Sequence, residues 1–245
     1  MRIVVVGGTG LIGSALVEAL RGWEHEVVPA SPSTGVDTVT GAGVADALGG
    51  AQVVVDVTNS PSFEDGPVLD FFTRSTTTVL AAEREAGVGH HVALSVVGTD
   101  RPPEAGYLRA KVAQEELVTA SEIPFTILRA TQFFEFLGTI ADAATQEDTV
   151  TLPEGSFQPV AAADVVAALA ELATGAPLGR TVDLAGPDRR TMEEFVREVL
   201  ASREDPRTVA TSPDARYFGT TIGDALVPAG EARIGATRFE DWLKA

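Results

Sequence analysis

Short apolar runs alternate with longer segments of helical periodicity along the first half of the chain. The runs that predict strands cover residues 2–6, 26–30, 52–57, 91–97 and 125–128, and the segments that predict helices cover 11–21, 65–86 and 107–120. Because the strand segments contain continuous apolar runs, rather than apolar residues at every second position, they are typical of a parallel sheet buried on both faces. The pattern therefore predicts an α/β fold, a doubly wound parallel sheet of the Rossmann type.

The regular alternation ends near residue 130. Beyond it, the pattern predicts an aromatic-rich helix over about 132–144, a short strand near Val150 and a helix over 163–173. Thr191 predicts the start of a helix that runs to about residue 201, and a last helix ends near Trp242. We expect residues 1–130, together with about 157–175, to form the Rossmann domain, and residues 131–245 to form mainly a small C-terminal lobe.

Charge and composition narrow the classes of partner. The 245 residues carry a formal net charge of −17, and the basic residues are scattered singly except for Arg189 and Arg190. Without a basic stripe to neutralise phosphates, nucleic acid and anionic membrane surfaces are not expected partners. The chain has no apolar run near the roughly 18 residues that span a bilayer, and it starts without a leader pattern, so we expect a cytoplasmic protein. We also expect a monomer or a homodimer that binds a small-molecule substrate.

A glycine-rich loop, Gly7-Gly8-Thr9-Gly10-Leu11-Ile12-Gly13, joins the first predicted strand to the first predicted helix. Glycines in this context let the backbone approach a pyrophosphate, while the helix N-terminus offers free N–H groups. The spacing fits both G-x-G-x-x-G and the three-residue spacing of short-chain dehydrogenases. The loop predicts an NAD(P)(H) site, and its expected contacts are Gly7, Thr9, Gly10, Leu11, Ile12 and Gly13.

The end of the second predicted strand normally shows which dinucleotide is bound. An acidic residue there binds the NAD ribose, whereas an arginine accommodates the NADP phosphate. This chain has Ser31, Ser33 and Thr34 instead, and no Lys or Arg occurs between Gly22 and Thr73. Hydroxyl groups can hold a 2′-phosphate, but no guanidinium from this stretch can clamp it. We expect Ser31 and Ser33 to contact the cofactor, and these residues leave the choice between NAD and NADP open.

Tyr107 and Lys111 stand four residues apart in a predicted helix, which places both side chains on one face. Since the chain has only two tyrosines and two lysines, this spacing arises by chance roughly 0.02 times. Ser95 lies near the carboxyl end of a predicted strand, where open parallel sheets bind ligands. The three side chains form a candidate catalytic group for hydride transfer to a carbonyl.

Each member of this group has an expected role. Tyr107 is the predicted proton donor to the carbonyl oxygen. Lys111 is expected to lower the pKa of the phenol from about 10 and to hold the cofactor ribose. Ser95 is expected to orient the carbonyl and to stabilise the developing oxyanion. The alternative is a surface helix whose tyrosine and lysine are solvated.

The glycine loop, Ser95 and the segment from Tyr107 to Lys111 resemble an atypical short-chain dehydrogenase/reductase of the NmrA-like group, and the resemblance covers essentially the whole chain. It implies a Rossmann body with a small C-terminal substrate-binding lobe, NAD(P)(H) in an extended cleft with NADP favoured, and reduction of ketones or quinones. The arginine that is common after the second strand in NADP-using relatives is absent. The family also includes redox sensors that bind dinucleotide without turnover, but these generally lack the Tyr/Lys pair.

Other residues extend the predicted site. Thr58 and Asn59 follow the third predicted strand, at a position that in this family lies beside the adenine end of the cofactor; a simple turn is the alternative. The region after Leu128 is expected to face the nicotinamide and a flat, apolar substrate, although some of its phenylalanines could simply pack the lobe. Its predicted substrate-binding residues are Thr131, Gln132, Phe133, Phe134 and Phe136.

Several polar residues are interpreted as structural. His90 and His91 are adjacent, so on a strand they point in opposite directions and cannot bind one metal as a pair. Glu115 and Glu116 are interpreted as part of a solvated helix face. With no cysteine and no metal-ligand spacing, we expect neither disulfides nor a metal site.

Two classes of function remain. The first is an NAD(P)H-dependent oxidoreductase that reduces a small carbonyl or quinone, including an aromatic natural product such as a polyketide. The second is a non-catalytic NAD(P) redox sensor that regulates a protein partner. A tailoring enzyme that takes part in an oxygenation or hydroxylation step is a further alternative.

Overall fold

Seven parallel strands form the central sheet of the computed structural model, which describes residues 1–99, 101, 106–217 and 222–245. The described strands are β1 (Arg2–Val6), β2 (Glu26–Ala30), β3 (Val53–Asp56), β4 (His90–Val96), β5 (Phe125–Ala130), β6 (Thr145–Gln146), β7 (Thr149–Pro153), β8 (Ser156–Phe157), β9 (Arg180–Ala185), β10 (Arg190–Thr191), β11 (Thr208–Ser212) and β12 (Arg233–Ile234). The described helices are α1 (Leu11–Gly22), α2 (Val44–Leu48), α3 (Asp65–Ala86), α4 (Gly106–Thr119), α5 (Leu137–Ala143), α6 (Ala162–Thr174), α7 (Met192–Ser202) and α8 (Phe239–Trp242).

The order of the strands in the central sheet is β12-β9-β5-β4-β3-β1-β2. After β1 the chain moves outward to β2 and then returns to the other side of β1 to form β3. This reversal leaves a crevice at the carboxyl ends of β1 and β3, the place where open α/β sheets bind ligands. The predicted fold class is confirmed.

Helices cover both faces of the sheet. The side chains of Ile3 and Val5 pack towards α1 and α6, whereas those of Val4 and Val6 pack towards α2 and α3. Successive residues of a strand point to opposite faces, so a strand covered on both sides has to be apolar at every position. This burial explains why the first strands could be recognised from their sequence.

A second apolar cluster forms the C-terminal lobe. Its rings include Phe157 and Phe195, which meet edge to face with their centroids 5.9 Å apart, and Phe239, whose centroid is 4.8 Å from that of Phe195. A small sheet of β6, β7 and β11 lies beside it, and Thr191 caps α7 as predicted. The lobe therefore has an apolar core of its own.

The C-terminal half contributes more strands to the central sheet than the sequence pattern indicated. Both β9 and β12 extend the sheet beyond β5, although residues 131–245 were expected to form mainly the lobe. The segment that forms β9 is polar at its start and buried mainly near its end, so it lacks the continuous apolar run of the inner strands. The division into a Rossmann domain and a lobe stays a prediction, with these two strands on the sheet.

The aromatic segment after β5 is not one continuous helix over 132–144. Val160 donates its N–H to the carbonyl of Gln132, and Phe134 donates its N–H to the carbonyl of Val160. This pairing holds the chain extended, so a short 3₁₀ turn over Phe134–Phe136 precedes α5.

Glu135 joins the lobe to the helix layer of the sheet. Its carboxylate accepts hydrogen bonds from the backbone N–H of Ala162, at the start of α6, and from the indole N–H of Trp242 in α8. One side chain thus links the C-terminal helix to a helix that packs on the sheet.

No helix among the described residues is long and apolar enough to cross a membrane. The same residues contain no group of three or more His, Asp or Glu side chains arranged to hold a metal ion.

Candidate functional site

A cleft of about 1180 Å³ runs along the carboxyl ends of the sheet strands and under the lobe. Most of the residues predicted from the sequence line this cleft. They are Gly7, Thr9, Gly10, Leu11, Ile12, Gly13, Ser31, Thr58, Asn59, Ser95, Tyr107, Lys111, Thr131, Gln132, Phe133 and Phe136.

The glycine loop makes a tight turn between β1 and α1. Gly7 has a φ of +82°, and a Cβ there would lie 2.9 Å from the carbonyl oxygen of Val57. A Cβ on Gly13 would lie 2.1 Å from the carbonyl oxygen of Gly7, so the loop closes onto the helix only with glycine at this position. Gly10 is the N-cap and gives no side-chain hydrogen bond. The first-turn N–H groups of α1 therefore lack a capping side chain and are suited to bind an anion.

Three hydroxyl groups meet at the end of β2. Thr9 donates to Ser31 over 3.0 Å, Ser31 and Ser33 lie 2.9 Å apart, and Ser33 donates to Thr9 over 3.3 Å. Ser33 itself does not line the cleft, but its hydroxyl group contacts those of the lining residues Thr9 and Ser31. The cluster contains no charged group.

Asp37, which was not among the predicted site residues, also lines the cleft near this cluster. Hydrogen bonds from the backbone and the side chain of Thr40, and from the backbone of Val39, lower the pKa of its carboxyl. The N–H of Val39 lies 2.8 Å from its Oδ1. Asp37 lies seven residues beyond the end of β2, and the turn that brings it back to the cleft has no simple sequence signature. The wall beside the hydroxyl cluster thus carries a negative charge.

Lys111 lies at the bottom of the cleft and is almost fully buried. Its ammonium donates to the carbonyl oxygen of Leu94 over 2.8 Å and to the side-chain oxygen of Gln114, and it lies 4.4 Å from the ring centre of Phe72. Burial lowers the pKa of Lys111 to about 8, although Asp56 and Glu115 act in the opposite direction.

Tyr107 lies one helical turn before Lys111, as its spacing predicted, and both line the cleft. Its ring packs against Phe63 and Phe72, with centroids 5.6 and 6.1 Å apart. Burial raises the pKa of Tyr107 to about 12. The expectation that Lys111 lowers this pKa is not met, because the ammonium is directed to Leu94 and Gln114 rather than to the phenol. The phenol keeps its proton at neutral pH.

Ser95 is buried at the cleft and donates its hydroxyl hydrogen to Oε1 of Glu115. The same carboxylate accepts a hydrogen bond from Thr99 and pairs with Arg129, whose Nη2 lies 2.6 Å from Oε2. The interpretation of Glu115 as a solvated residue is therefore wrong, since it is held in a buried network. Glu116, the next residue, is exposed as expected.

The lobe and the region after β5 form the far end of the cleft. Thr131, Gln132, Phe133 and Phe136 line it as predicted, and the Phe133 and Phe136 rings stack with centroids 5.5 Å apart. Phe134 does not line the cleft; it is fully buried against Phe195, Phe239 and Trp242 in the lobe core. Phe133 and Phe136, three residues apart, lie on the cleft side of this segment, and Phe134 lies on the side of the lobe core.

Two polar atoms at this end have no protein partner in the described part of the chain. They are Oγ1 of Thr131 and Oε1 of Gln132, and both are buried. Unpaired buried polar atoms are rare and costly in folded proteins. They are suited to meet polar groups of a bound molecule.

Charged side chains are scarce along the cleft. Among the described lining residues they are Asp37, Lys111 and Arg216. Arg216 is exposed near the lobe end, and its guanidinium donates to the carbonyl oxygens of Pro213 and Ala215. Tyr217, the second tyrosine of the chain, lies beside it in the cleft, and burial raises its pKa.

The two histidines on β4 are buried on separate partners. Nε2 of His90 lies 3.0 Å from Oγ1 of Thr126, and Nδ1 of His91 lies 2.7 Å from Oε1 of Glu83. Burial lowers the pKa of His90 to about 4. Burial opposes charge on His91, but the carboxylate of Glu83 outweighs it and raises the pKa of the imidazole. Both side chains belong to the packing of the sheet, in accord with the structural interpretation.

Comparison with known sequences gives a family and two named relatives. The profile of a family described as NAD(P)H-binding matches residues 7–174. A 4-hydroxy-tetrahydrodipicolinate reductase of Dinoroseobacter shibae is 31% identical over 146 residues, which make up 58% of this chain and 53% of that protein. A (4-alkanoyl-5-oxo-2,5-dihydrofuran-3-yl)methyl phosphate reductase of Streptomyces griseus is 28% identical over 209 residues, or 78% of this chain and 70% of that protein. The match thus spans about half the length of the first relative.

Solved structures share the fold at low sequence identity. MoeE5 in complex with UDP-glucose and NAD has a TM-score of 0.79 and 18% identity, covering 100% of this chain and 96% of the other. A short-chain dehydrogenase/reductase superfamily protein of Agrobacterium tumefaciens with bound NAD has a TM-score of 0.74 and 18% identity, covering 100% and 95%. An NADPH-dependent quinone oxidoreductase of Escherichia coli complexed with NADPH has a TM-score of 0.67 and 21% identity, covering 86% and 77%. These similarities concern the fold.

Proposed function

Because the chain belongs to a family described as NAD(P)H-binding, we propose that it is an atypical short-chain dehydrogenase/reductase that reduces a small carbonyl compound or quinone with NAD(P)H. The observation that carries the proposal is the placement of Tyr107 and Lys111, one helical turn apart, in the same cleft as the glycine loop. A phenol and an ammonium at the carboxyl end of a Rossmann sheet are suited to carbonyl chemistry.

The cleft fits a dinucleotide. The uncapped N-terminus of α1 offers N–H groups for the pyrophosphate, and the crowding that a Cβ would meet at Gly7 and Gly13 explains the glycines of the loop. We propose that Thr58 and Asn59 border the adenosine part, with the hydroxyl groups of Ser31 and Ser33 near its ribose. The unpaired oxygens of Thr131 and Gln132 lie at the other end, suited to the polar groups of a nicotinamide or a substrate.

The residues of the chain supply the proton and the electrostatic setting. When bound, NAD(P)H supplies the hydride. The hydroxyl of Tyr107 donates a proton to the substrate oxygen, and a pKa raised to about 12 keeps that proton in place at neutral pH. The ammonium of Lys111 places a positive charge beneath the cleft, and we infer that it holds the ribose hydroxyls. The lining of the cleft around these groups is mostly apolar.

The walls at the lobe end favour a substrate with a flat or aliphatic apolar part. The rings of Phe133 and Phe136, together with Ile140, Leu152 and Met192, form that surface. Aromatic natural products such as polyketides belong to this class. The two named relatives are both reductases, and the Streptomyces griseus protein is named for a small cyclic carbonyl compound that carries a phosphate.

Turnover of NADH and NADPH in the presence of a panel of quinones and aryl ketones tests the proposal. We expect oxidation of one of the two dinucleotides above background, at least a hundredfold slower in Tyr107→Phe and in Lys111→Ala. Lys244→Ala, which changes the other lysine of the chain at an exposed position, is the matched control and keeps full activity. Unchanged turnover in Tyr107→Phe would contradict the proposed acid.

The same experiment separates an enzyme from a sensor. NAD(P)H binding is followed independently by fluorescence of the reduced nicotinamide. Tight binding without oxidation across the whole panel favours a non-catalytic redox sensor.

A further inference from the structure

The hydroxyl group of Ser95 already donates a hydrogen bond within the protein. It carries one hydrogen, and this hydrogen points to Oε1 of Glu115 at an oxygen–oxygen distance of 2.5 Å. Both residues are at least nine-tenths buried. A short hydrogen bond from a hydroxyl to a buried carboxylate belongs to the strong, charge-assisted class. The hydroxyl therefore does not turn away from Glu115 without a substantial cost.

Glu115 cannot return a hydrogen to Ser95. Its carboxylate also accepts from Oγ1 of Thr99 at 3.0 Å, and it accepts from Nε and Nη2 of Arg129 at 2.9 and 2.6 Å. A carboxylate that pairs with a guanidinium has acceptor atoms only. Ser95 lies in β4, Thr99 in the turn after β4 and Arg129 in β5. Contacts from these three residues fix the position of the carboxylate and hence the direction of the Ser95 hydroxyl.

Towards the cleft, the oxygen of Ser95 can therefore act only as a hydrogen-bond acceptor. No group in the described part of the chain donates a hydrogen bond to this oxygen. Oε1 of Gln132, another residue of the cleft wall, is likewise a buried acceptor without a donor. Two acceptor oxygens in one largely apolar cleft call for a ligand that brings hydrogens of its own.

We propose that Ser95 accepts a hydrogen bond from an O–H or N–H group of the bound ligand, and that Glu115 is the positioning residue that imposes this polarity. The proposal rests on the proposed function and, where the donor belongs to the substrate, narrows the substrate class to carbonyl compounds that carry a hydroxyl or N–H group near the reducible carbonyl. The donor can belong to the substrate or to the carboxamide of the nicotinamide. Tyr107 is then the group that donates to the carbonyl oxygen.

Two matched ketones test the polarity of Ser95. In α-hydroxyacetophenone a hydroxyl group occupies the place of the terminal methyl group of propiophenone, so the pair differs in one donor at nearly equal size. Calorimetric titration into the protein saturated with NADP⁺, and separately with NAD⁺, measures binding without turnover. We expect the wild type to bind the hydroxyketone about tenfold more tightly, and Ser95→Ala to lose this preference while its affinity for propiophenone stays within twofold.

A nicotinamide analogue distinguishes the two sources of the donor. The 3-acetylpyridine dinucleotide lacks the N–H group of the carboxamide. If the cofactor is the donor, Ser95→Ala weakens binding of the natural dinucleotide about tenfold and leaves binding of the analogue unchanged, which supports the acceptor role with the cofactor as its source. If Ser95→Ala weakens both ketones equally, Ser95 is a donor to the carbonyl and the proposal is wrong. If it changes no affinity, the proposal is also wrong.

Glu115→Gln tests the positioning role, with Glu116→Gln on the same helix as the matched control. We expect the preference for the hydroxyketone to fall at least threefold in Glu115→Gln and to stay unchanged in the control. A preference that survives in a folded Glu115→Gln protein would overturn the role of Glu115. Because binding is measured directly, a protein that fails to reduce any ketone contradicts the proposed function without deciding the polarity of Ser95, which these titrations decide.

Discussion

The side-chain amide of Gln114 donates a hydrogen bond to the buried carboxylate of Asp56, with 3.1 Å between Nε2 and Oδ2. The amide oxygen of the same residue accepts from the ammonium of Lys111. Asp56 also accepts from the N–H and the hydroxyl of Thr58, at 2.9 and 2.7 Å. The charge at the bottom of the cleft is thus connected, through one amide, to the carboxyl end of β3.

The buried ammonium of Lys111 predicts how activity depends on pH. Burial lowers the pKa of Lys111 to about 8, so its ammonium loses its proton as the pH rises through that value. Since the positive charge holds the ribose in the proposed mechanism, we expect kcat/KM to fall above pH 8. The measurement is a profile of kcat/KM between pH 6 and 10 at saturating cofactor. A flat profile over that range would contradict the role of the ammonium.

Asp56→Asn is expected to move this fall to lower pH. The carboxylate of Asp56 raises the pKa of Lys111, so its removal lowers that pKa further. A downward change of one unit, equivalent to ~1.4 kcal/mol, leaves about fivefold less protonated lysine at pH 8. The same profile measures the change, and Asp46→Asn, at an exposed position of α2, is the control with an unaltered curve.

Asp37 is expected to favour NADH over NADPH. Its carboxylate lies on the cleft wall near the hydroxyl cluster, and a negative charge there repels a 2′-phosphate. Although the family resemblance favours NADP, we therefore expect Asp37→Ser to increase the affinity for NADPH about five- to tenfold and to leave that for NADH within twofold. Titrations followed by nicotinamide fluorescence measure both constants. Equal changes for the two dinucleotides would show that Asp37 does not reach the 2′ position.

Arg216 is expected to favour anionic substrates. Among the described residues it is the cation at the lobe end of the cleft. With 3-benzoylpropionate and the neutral butyrophenone as a matched pair, Arg216→Gln should raise KM about tenfold for the anion and leave the neutral ketone unaffected. Arg180→Gln, at an exposed position of β9, is the control. An equal change in both KM values would assign Arg216 to the packing of the lobe.

Because His90 is buried, we expect the folded protein to lose stability in mild acid. Burial lowers its pKa from 6.5 to about 4, so the unfolded chain binds a proton in this interval that the folded chain does not. The stability that the neutral imidazole contributes is complete above pH 6.5 and is lost as the pH falls towards 4, by about 3 kcal/mol. In His90→Gln this part of the slope should disappear. Urea unfolding at pH 7, 5.5 and 4.5 compares the two proteins, and the Glu83–His91 pair is common to both.

Much of the fold could be predicted because the inner strands are buried on both faces. The predicted ranges 2–6, 26–30 and 65–86 coincide with β1, β2 and α3. The pattern failed where a segment takes its structure from a distant partner. Val160 holds the chain extended at Gln132, which delays the start of α5, and β9 joins the sheet with only part of its length buried.

The candidate site, like the fold, could be predicted only in part. The spacing of Tyr107 and Lys111 was enough to place both in the cleft, because four residues make one helical turn. The network around Glu115 could not be predicted, since it requires Arg129 from a neighbouring strand to meet a carboxylate that looks solvated on its own helix. The pKa of Tyr107 was misjudged for a related reason: the partners of Lys111 are a backbone carbonyl and an amide that no spacing rule identifies.

The link at Glu135 bears on how new variants of this scaffold can be built. Exchange of the lobe between homologues offers a route to altered substrate choice with the dinucleotide half retained, but the graft has to carry both the acidic residue before α5 and the tryptophan of α8. A chimera that keeps one and replaces the other leaves the start of α6 without its side-chain acceptor, or the indole without its own. Recombination boundaries are therefore best chosen so that these two positions are inherited together.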